Sequence, residues 1–210
     1  MLPDGVLSTT PVPSTFIWGR ENLITGTLDY ENGGLDIGDT TEALTYQTWR
    51  GRLIGEDVIL DAPSVSPVTI YSAADITEIS FSFDQNMTPA LAYVQGGVAK
   101  LRWYDTSIPG YDILTVTGAI TPRISIDDKR KSQTSQSDLI LAYVRSNCLY
   151  YRRQRDRFLT EYLLLTGPAL GIDSLQLVKI GMNKKWRFQF LFYVEPSGSG
   201  TGRHMIWVCM

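Results

Sequence analysis

Short apolar stretches broken by turn residues, and not helical spacing, dominate the chain. Asn32-Gly33 stands between Leu28/Tyr30 and Leu35/Ile37, the pattern of a hairpin whose primed turn needs φ > 0 at both central residues. Asp39-Thr40-Thr41 with Glu42 offers a cap for a short helix, but Tyr46, Thr48 and the residues after Gly51 alternate as a strand. Val58–Leu60, a loop at Pro63/Pro67 and Val68–Tyr71 continue that grammar.

A repeat organises the middle of the chain. Leu91-Ala92-Tyr93-Val94 returns as Leu141-Ala142-Tyr143-Val144. Phe81-Ser82-Phe83-Asp84 precedes the first copy and Ile124-Ser125-Ile126-Asp127 the second. A polar turn follows each, Gln95-Gly96-Gly97 or Arg145-Ser146-Asn147, then a strand with Leu101/Trp103 or Leu149/Tyr151, then a last strand at Ile113–Val116 or Tyr162–Leu165. The expected fold class is mainly β: repeated antiparallel four-stranded meanders, partial propeller-like or sandwich, with extended N- and C-terminal arms. Tyr93 and Tyr143 should be equivalent, as should Asp84 and Asp127.

The expected division is an arm and hairpin over 1–43, a repeated β domain over 44–195 and a flexible linker with an apolar tail over 196–210. Within the domain, the units fall at about 45–71 (degenerate), 76–117 and 121–165, with a closing strand at 186–193. Closed propellers usually need about four to eight blades, so an open stack, or one completed by neighbours, is expected. Arg152–Leu165 also fits a helix, with Phe158, Tyr162 and Leu165 at helical spacing, but alignment with the first unit favours strand.

Composition narrows the function classes. The chain has 210 residues, enough for a core without staples. A net charge of −3 argues against a whole-domain nucleic-acid binder, which would be strongly basic. Cys148 and Cys209 fit no metal spacing and read as unpaired thiols in a reducing compartment. No apolar run is long enough for a membrane span, and the N-terminus lacks a signal-peptide pattern, so an intracellular product is expected.

Candidate chemistry is sparse. The single histidine, His204, follows a Gly/Ser run, a poor place for a triad member. Gly198-Ser199-Gly200-Thr201-Gly202 lacks the GK[ST] ending of a phosphate loop and reads as linker. Asp29, Glu31, Asp36 and Asp39 miss EF-hand spacing, since Thr40 occupies the twelfth position, and read as a solvated hairpin. Asp84 and Asp127-Asp128 recur at strand ends and read as turn caps in preference to a glycosidase pair.

The sharper feature is a basic-aromatic patch, Arg152, Arg153, Arg155 and Arg157 with Tyr150 and Tyr151, near Arg145 and Phe158. Arginines among aromatics can hold a single strand, but a solvated face or an intersubunit ion-pair surface suits the acidic whole better. A second group is Lys184, Lys185 and Arg187 beside Trp186. Ile206, Trp207 and Val208, with Phe16 and Trp18 near the other end, are candidate partner-docking residues; the apolar tail is expected to dock on a neighbour or fold back on its own domain. No catalytic, cofactor-binding or metal residues are expected.

Three stretches, ITEISFSFDQNMTPALAYVQGGVAKLRWYD (76–105), SDLILAYVRSNCLYYRRQRDRFLTEYLLL (137–165) and KIGMNKKWRFQF (179–190), resemble a family of tailed-bacteriophage structural proteins encoded among the tail genes. The resemblance spans roughly residues 44–190. It implies a virion tail or neck component without catalytic residues, made in the host cytoplasm. The expected partners are copies of itself and other virion tail proteins, with no membrane, nucleic acid or small molecule among them. A receptor- or carbohydrate-binding tail module is the alternative, and a tail-associated glycan-degrading enzyme a third.

Overall fold

The computed structural model describes residues 16–24, 30–31, 34–35, 44–62, 65–84, 88–127, 138–182, 188–198 and 203–209. The proline-rich segment 1–15, the cap at Asp39–Thr41, Asp128, Lys184–Arg187 and most of the Gly/Ser run lie outside them.

The chain is mainly β, as its pattern predicts, and builds successive antiparallel sheets. The first contains β1 (Phe16–Ile24), then, after the two-residue strands β2 (Tyr30–Glu31) and β3 (Gly34–Leu35), β4 (Leu44–Ile54), β5 (Asp57–Ala62) and β6 (Val65–Ser72), in the order β1-β4-β5-β6. Strands β2 and β3 pair Tyr30 with Leu35 and Glu31 with Gly34, which brackets Asn32-Gly33. The unit read as degenerate over 45–71 is thus part of a four-stranded sheet whose first strand comes from the N-terminal division.

The second sheet is β7 (Ile76–Phe83), β8 (Pro89–Gln95), β9 (Val98–Asp105) and β10 (Gly110–Val116). The third is β11 (Ala119–Asp127), β12 (Asp138–Arg145), β13 (Cys148–Arg153) and β14 (Tyr162–Thr166). Both are meanders with the same strand order. Their registers agree too: Leu91 pairs with Phe81 and Arg102, and Leu141 with Ile124 and Arg152. Tyr93 and Tyr143, Asp84 and Asp127, and Arg102 and Arg152 therefore occupy corresponding positions.

Arg152–Leu165 forms no α-helix. It completes β13, makes a 3-10 turn at Gln154–Asp156 and enters β14. The fourth sheet is β15 (Ile172–Met182), β16 (Phe188–Pro196) and β17 (Arg203–Cys209). The closing strand lies a little later than its expected bounds, and β15 was not anticipated. The apolar C-terminal stretch pairs with β16 from Phe188↔Cys209 to Val194↔Arg203. Its backbone thus follows the fold-back alternative.

The sheets stack in chain order. Their first strands lie side by side, β1 on β7, β7 on β11 and β11 on β15. Both faces of the middle sheets are consequently buried, which explains their near-continuous apolar runs, normally a mark of strands covered on two sides. Leu91 and Tyr93 join Val58 and Leu60 in the layer between sheets one and two. Ala90, Ala92, Leu101 and Trp103 meet Leu141, Tyr143 and Phe158 between sheets two and three. Ile140, Ala142 and Val144 meet Leu175, Leu177 and Phe192 between sheets three and four.

Two glycines mark close approaches. A Cβ on Gly51 would lie 2.7 Å from the Phe81 ring, and one on Gly167 would lie 2.3 Å from the Asn147 carbonyl oxygen. Gly167 closes the passage from sheet three to sheet four: its N–H donates to Asn147 O at 3.0 Å, and its carbonyl accepts from Ile172 N–H at 3.0 Å. The Asn147 side-chain amide also donates to the Ile172 carbonyl.

Gly167→Ala should destabilise the fold by about 2 kcal/mol or more, because backbone and not a flexible side chain must yield. Chemical denaturation of the variant checks this, and a change within about 0.5 kcal/mol would contradict the described approach.

Candidate functional site

The basic-aromatic stretch is the candidate carried forward from the sequence, and the fold divides it. Alternation along β13 puts Tyr150 and Arg152 on the face toward sheet two, and Tyr151 and Arg153 on the face toward sheet four. Tyr150 accordingly packs with the layer containing Tyr143, and Tyr151 with the layer containing Phe190. The six residues do not form one groove.

On the sheet-two face, Tyr143 is fully buried. Its hydroxyl donates to Glu161 Oε2 at 2.5 Å and accepts from Arg152 Nε at 2.8 Å. Arg152 Nη2 pairs with Glu161 at 3.0 Å, and Arg145 pairs with the other oxygen of the same carboxylate. The Arg145 guanidinium also lies 4.8 Å from the centre of the Tyr150 ring. Burial pushes the Tyr143 phenol pKa up, reinforced by the Glu161 hydrogen bond, so the hydroxyl stays protonated and donates. Burial alone would push the Glu161 carboxyl up as well. The hydrogen bonds from Tyr143, Arg152 and Arg145 outweigh it and hold the group below its ordinary value of 4.5.

The loop after β13 inserts Phe158 into the layer between sheets two and three, where it is fully buried. Its ring meets Trp103 edge-on, with centroids 5.1 Å apart at 74°. Arg157 and Phe158 have φ of 57° and 59°, left-handed values that cost a bulky residue energy and persist only where the surroundings fix them. Several contacts do so. Arg152 Nη1 donates to Phe158 O at 3.0 Å, Phe158 N–H to Arg153 O at 2.8 Å, and Arg157 N–H to Gln154 O at 2.7 Å. Arg157 pairs with buried Asp105 of sheet two at 2.6 Å, and Arg155 pairs with Asp138 at the start of β12. Hydrogen bonds from Ser107 hold Asp105 below the ordinary carboxylate value against the opposing effect of burial, with Arg157 helping.

On the opposite face, Arg153 lies 5.4 Å from the Tyr151 ring and 5.8 Å from Tyr162. Those two rings stack at 4.8 Å and 19°. At the position corresponding to Arg152, Arg102 lies 3.3 Å over Tyr111 and 5.5 Å from Tyr71, whose hydroxyl accepts from buried Tyr93 at 3.2 Å. A buried tyrosine beside a strand-borne arginine is therefore a repeated feature of the two units.

Arg123, not singled out by the sequence, ties three sheets together. It pairs with Glu78 on β7, and its Nε donates to Val178 O on β15 at 2.8 Å. A bulge at Ile120/Arg123, with Thr121 at φ 49°, permits this, and Thr121 Oγ1 accepts Leu177 N–H at 3.2 Å.

Asp84 accepts Thr88 N–H at 2.8 Å, a turn role. Among the described residues no three His, Cys, Asp or Glu group as metal ligands, and no helix is long and apolar enough to cross a membrane. Phe16 and Trp18 stand on β1 opposite Arg52 and Arg50, and Ile206, Trp207 and Val208 on β17 opposite Leu191, Phe190 and Gln189.

Glu161→Gln should destabilise the protein by about 2 kcal/mol near neutral pH, since it leaves two partly buried guanidinium groups facing a neutral amide. A depressed carboxylate stabilises the fold above its unfolded value and loses that contribution as pH falls through the folded one. The wild type should therefore lose stability as pH drops below 4.5, and the variant should lose less; equal pH slopes would refute the role given to Glu161. Comparisons of the chain with protein-family models, with curated proteins and with solved structures each found no match.

Proposed function

We propose that the chain is a non-enzymatic structural component of a phage tail or neck, assembled in several copies and joining the tail to another part such as a fibre. The observation that carries this reading is a set of exposed apolar side chains on outer strands. Tyr111 and Ile113 on β10 are exposed, as are Tyr162 and Leu163 on β14 with Leu159 just before them. Clustered exposed apolar side chains mark interaction surfaces, and outer strands also offer unpaired backbone groups.

The polar chemistry supports the same reading. Arg123, Arg145, Arg152, Arg155 and Arg157 all face named carboxylates within the fold: Arg123 and Arg157 join sheet three to sheet two, while Arg145, Arg152 and Arg155 hold sheet three and the loop after β13, which favours a structural role over nucleic-acid binding. The resemblance of residues 76–105, 137–165 and 179–190 to tailed-phage structural proteins supplies the virion context, with the protein made in the host cytoplasm. The alternative of a receptor- or carbohydrate-binding tail module is favoured by Tyr111, an exposed ring braced by Arg102 at 3.3 Å, since such a ring suits stacking.

Leu163 is 56% exposed, so Leu163→Glu should change folding stability by no more than about 0.5 kcal/mol. It should nevertheless lower incorporation of the chain into phage particles, measured by quantitative mass spectrometry of purified virions. Normal incorporation would count against these side chains as an assembly surface, and glycan binding lost on Tyr111→Ala would favour the alternative.

A further inference from the structure

The second sheet keeps an arginine of the third and changes what stands across from it. In sheet three Tyr150 pairs with Leu163 and Tyr151 with Tyr162, so Arg152 stands opposite Glu161 one step further along that register. In sheet two Arg102 pairs with Ile113. The two arginines correspond, because their partners on the second strands are Leu91 and Leu141 of the repeated phrase. Where the third sheet presents a carboxylate to its arginine, the second presents an isoleucine that is 45% exposed.

The groups that seat Glu161 have counterparts around Arg102. Glu161 accepts the Tyr143 hydroxyl and pairs with the Arg152 guanidinium. Tyr93, the counterpart of Tyr143, donates its hydroxyl to Tyr71 at 3.2 Å. A phenol that accepts a hydrogen bond keeps its own proton to give, so the donor passes from Tyr93 to Tyr71. Arg102 lies 5.5 Å from the centre of the Tyr71 ring and 3.3 Å from that of Tyr111. Tyr111 is 41% exposed and meets Tyr104 edge-on, with centroids 5.5 Å apart. Cross-strand pairing puts Lys100, Arg102 and Tyr104 of β9 on one face with Thr115, Ile113 and Tyr111 of β10. Two of these six side chains carry positive charge and none carries negative charge. Lys100 donates to Gln95 Oε1 at 2.9 Å, so its charge stays beside Arg102. Tyrosine and arginine around exposed apolar carbon are the composition of an interface anchor.

We propose that this face of β9 and β10 docks an acidic segment of a partner protein, with an aspartate or glutamate carboxylate seated between Arg102 and Tyr71 and apolar side chains beside it on Tyr111 and Ile113. The third sheet shows the kind of occupant: Glu161 is followed by Tyr162 and Leu163, a carboxylate next to apolar groups. A protein segment suits Ile113 better than a glycan does, because the aliphatic side chain would face sugar hydroxyls without pairing them. The proposal rests on the reading of exposed outer-strand side chains as an assembly surface and adds the chemistry of the partner.

The test uses the full chain and a capped peptide of residues 159–163, Leu-Thr-Glu-Tyr-Leu, followed by NMR. Binding should saturate with a Kd of about 1 mM or tighter and shift the Arg102 Nε–H and Tyr111 ring signals. Glu161→Gln in the peptide should weaken binding about tenfold or more, since a charge-assisted pair is lost. Arg102→Gln in the protein should do the same. Ile113→Glu, which returns a carboxylate to the register position, should block the peptide. In denaturation experiments it should also be coupled to Arg102 by about threefold in the unfolding equilibrium constant, as a cross-strand ion pair requires. No saturation by about 10 mM peptide, or equal affinity for the Glu and Gln peptides, would overturn the proposal. Additive effects of Ile113→Glu and Arg102→Gln on unfolding would overturn the seat assigned to the carboxylate. A uronic-acid oligosaccharide that binds where the peptide does not, and is lost on Arg102→Gln, would give the face to an acidic glycan instead. These failures are distinct from failure of the assembly role, which particle incorporation of the Leu163 variant reads separately.

Discussion

Face-to-face burial of neighbouring sheets, set by first strands that lie side by side, is the constraint on which the rest depends. A sheet with an apolar face must bury it against another layer. Here the middle sheets are covered on both faces. Residues at alternate positions of β8 and β12 serve opposite layers, so neither strand can slip by one residue without exchanging two cores. Small residues at Ala90, Ala92 and Ala99 oppose Tyr143 and Phe158 in the same layer, a large-against-small fit that lets the sheets approach.

The polar groups follow from that packing. A tyrosine at the centre of a buried layer needs a partner for its hydroxyl. Tyr143 finds Glu161 and Arg152, and Tyr93 finds Tyr71. Glu161 in turn neutralises Arg145 and Arg152. The loop bearing Phe158 accepts two left-handed residues to seat one ring against Trp103. The arginines that look like a ligand-binding patch in one dimension are, in three, the means by which that loop and the adjacent strands are held.

Sequence and structure agree where the signal is local or repeated. The pairing of Tyr30–Glu31 with Gly34–Leu35, the two matching meanders and the correspondence of Tyr93 with Tyr143 follow from local pattern and from duplicated four-residue phrases. Arg152–Leu165 satisfied helix and strand patterns alike, and the alignment with the first unit decided correctly. The roles of the arginines were not legible, because their carboxylate partners at Asp105, Asp138 and Glu161 come close only once the strands pair. Nothing in the sequence marks Arg123, because its partners on β7 and β15 lie far away along the chain. Strand β15 was missed because it has no counterpart in the copied phrases, and β17 read as a tail because the glycines before it outweighed its apolar run.

The most direct measurement of the central claim is a double-mutant cycle between Trp103 of sheet two and Phe158 of the sheet-three loop, using Trp103→Leu, Phe158→Leu and the pair. If the loop ring closes the layer between the sheets, the two changes should be coupled by about 1 kcal/mol in denaturation experiments. Additivity within about 0.3 kcal/mol would mean that the two rings do not meet across that layer, and would contradict the stacking on which the account rests.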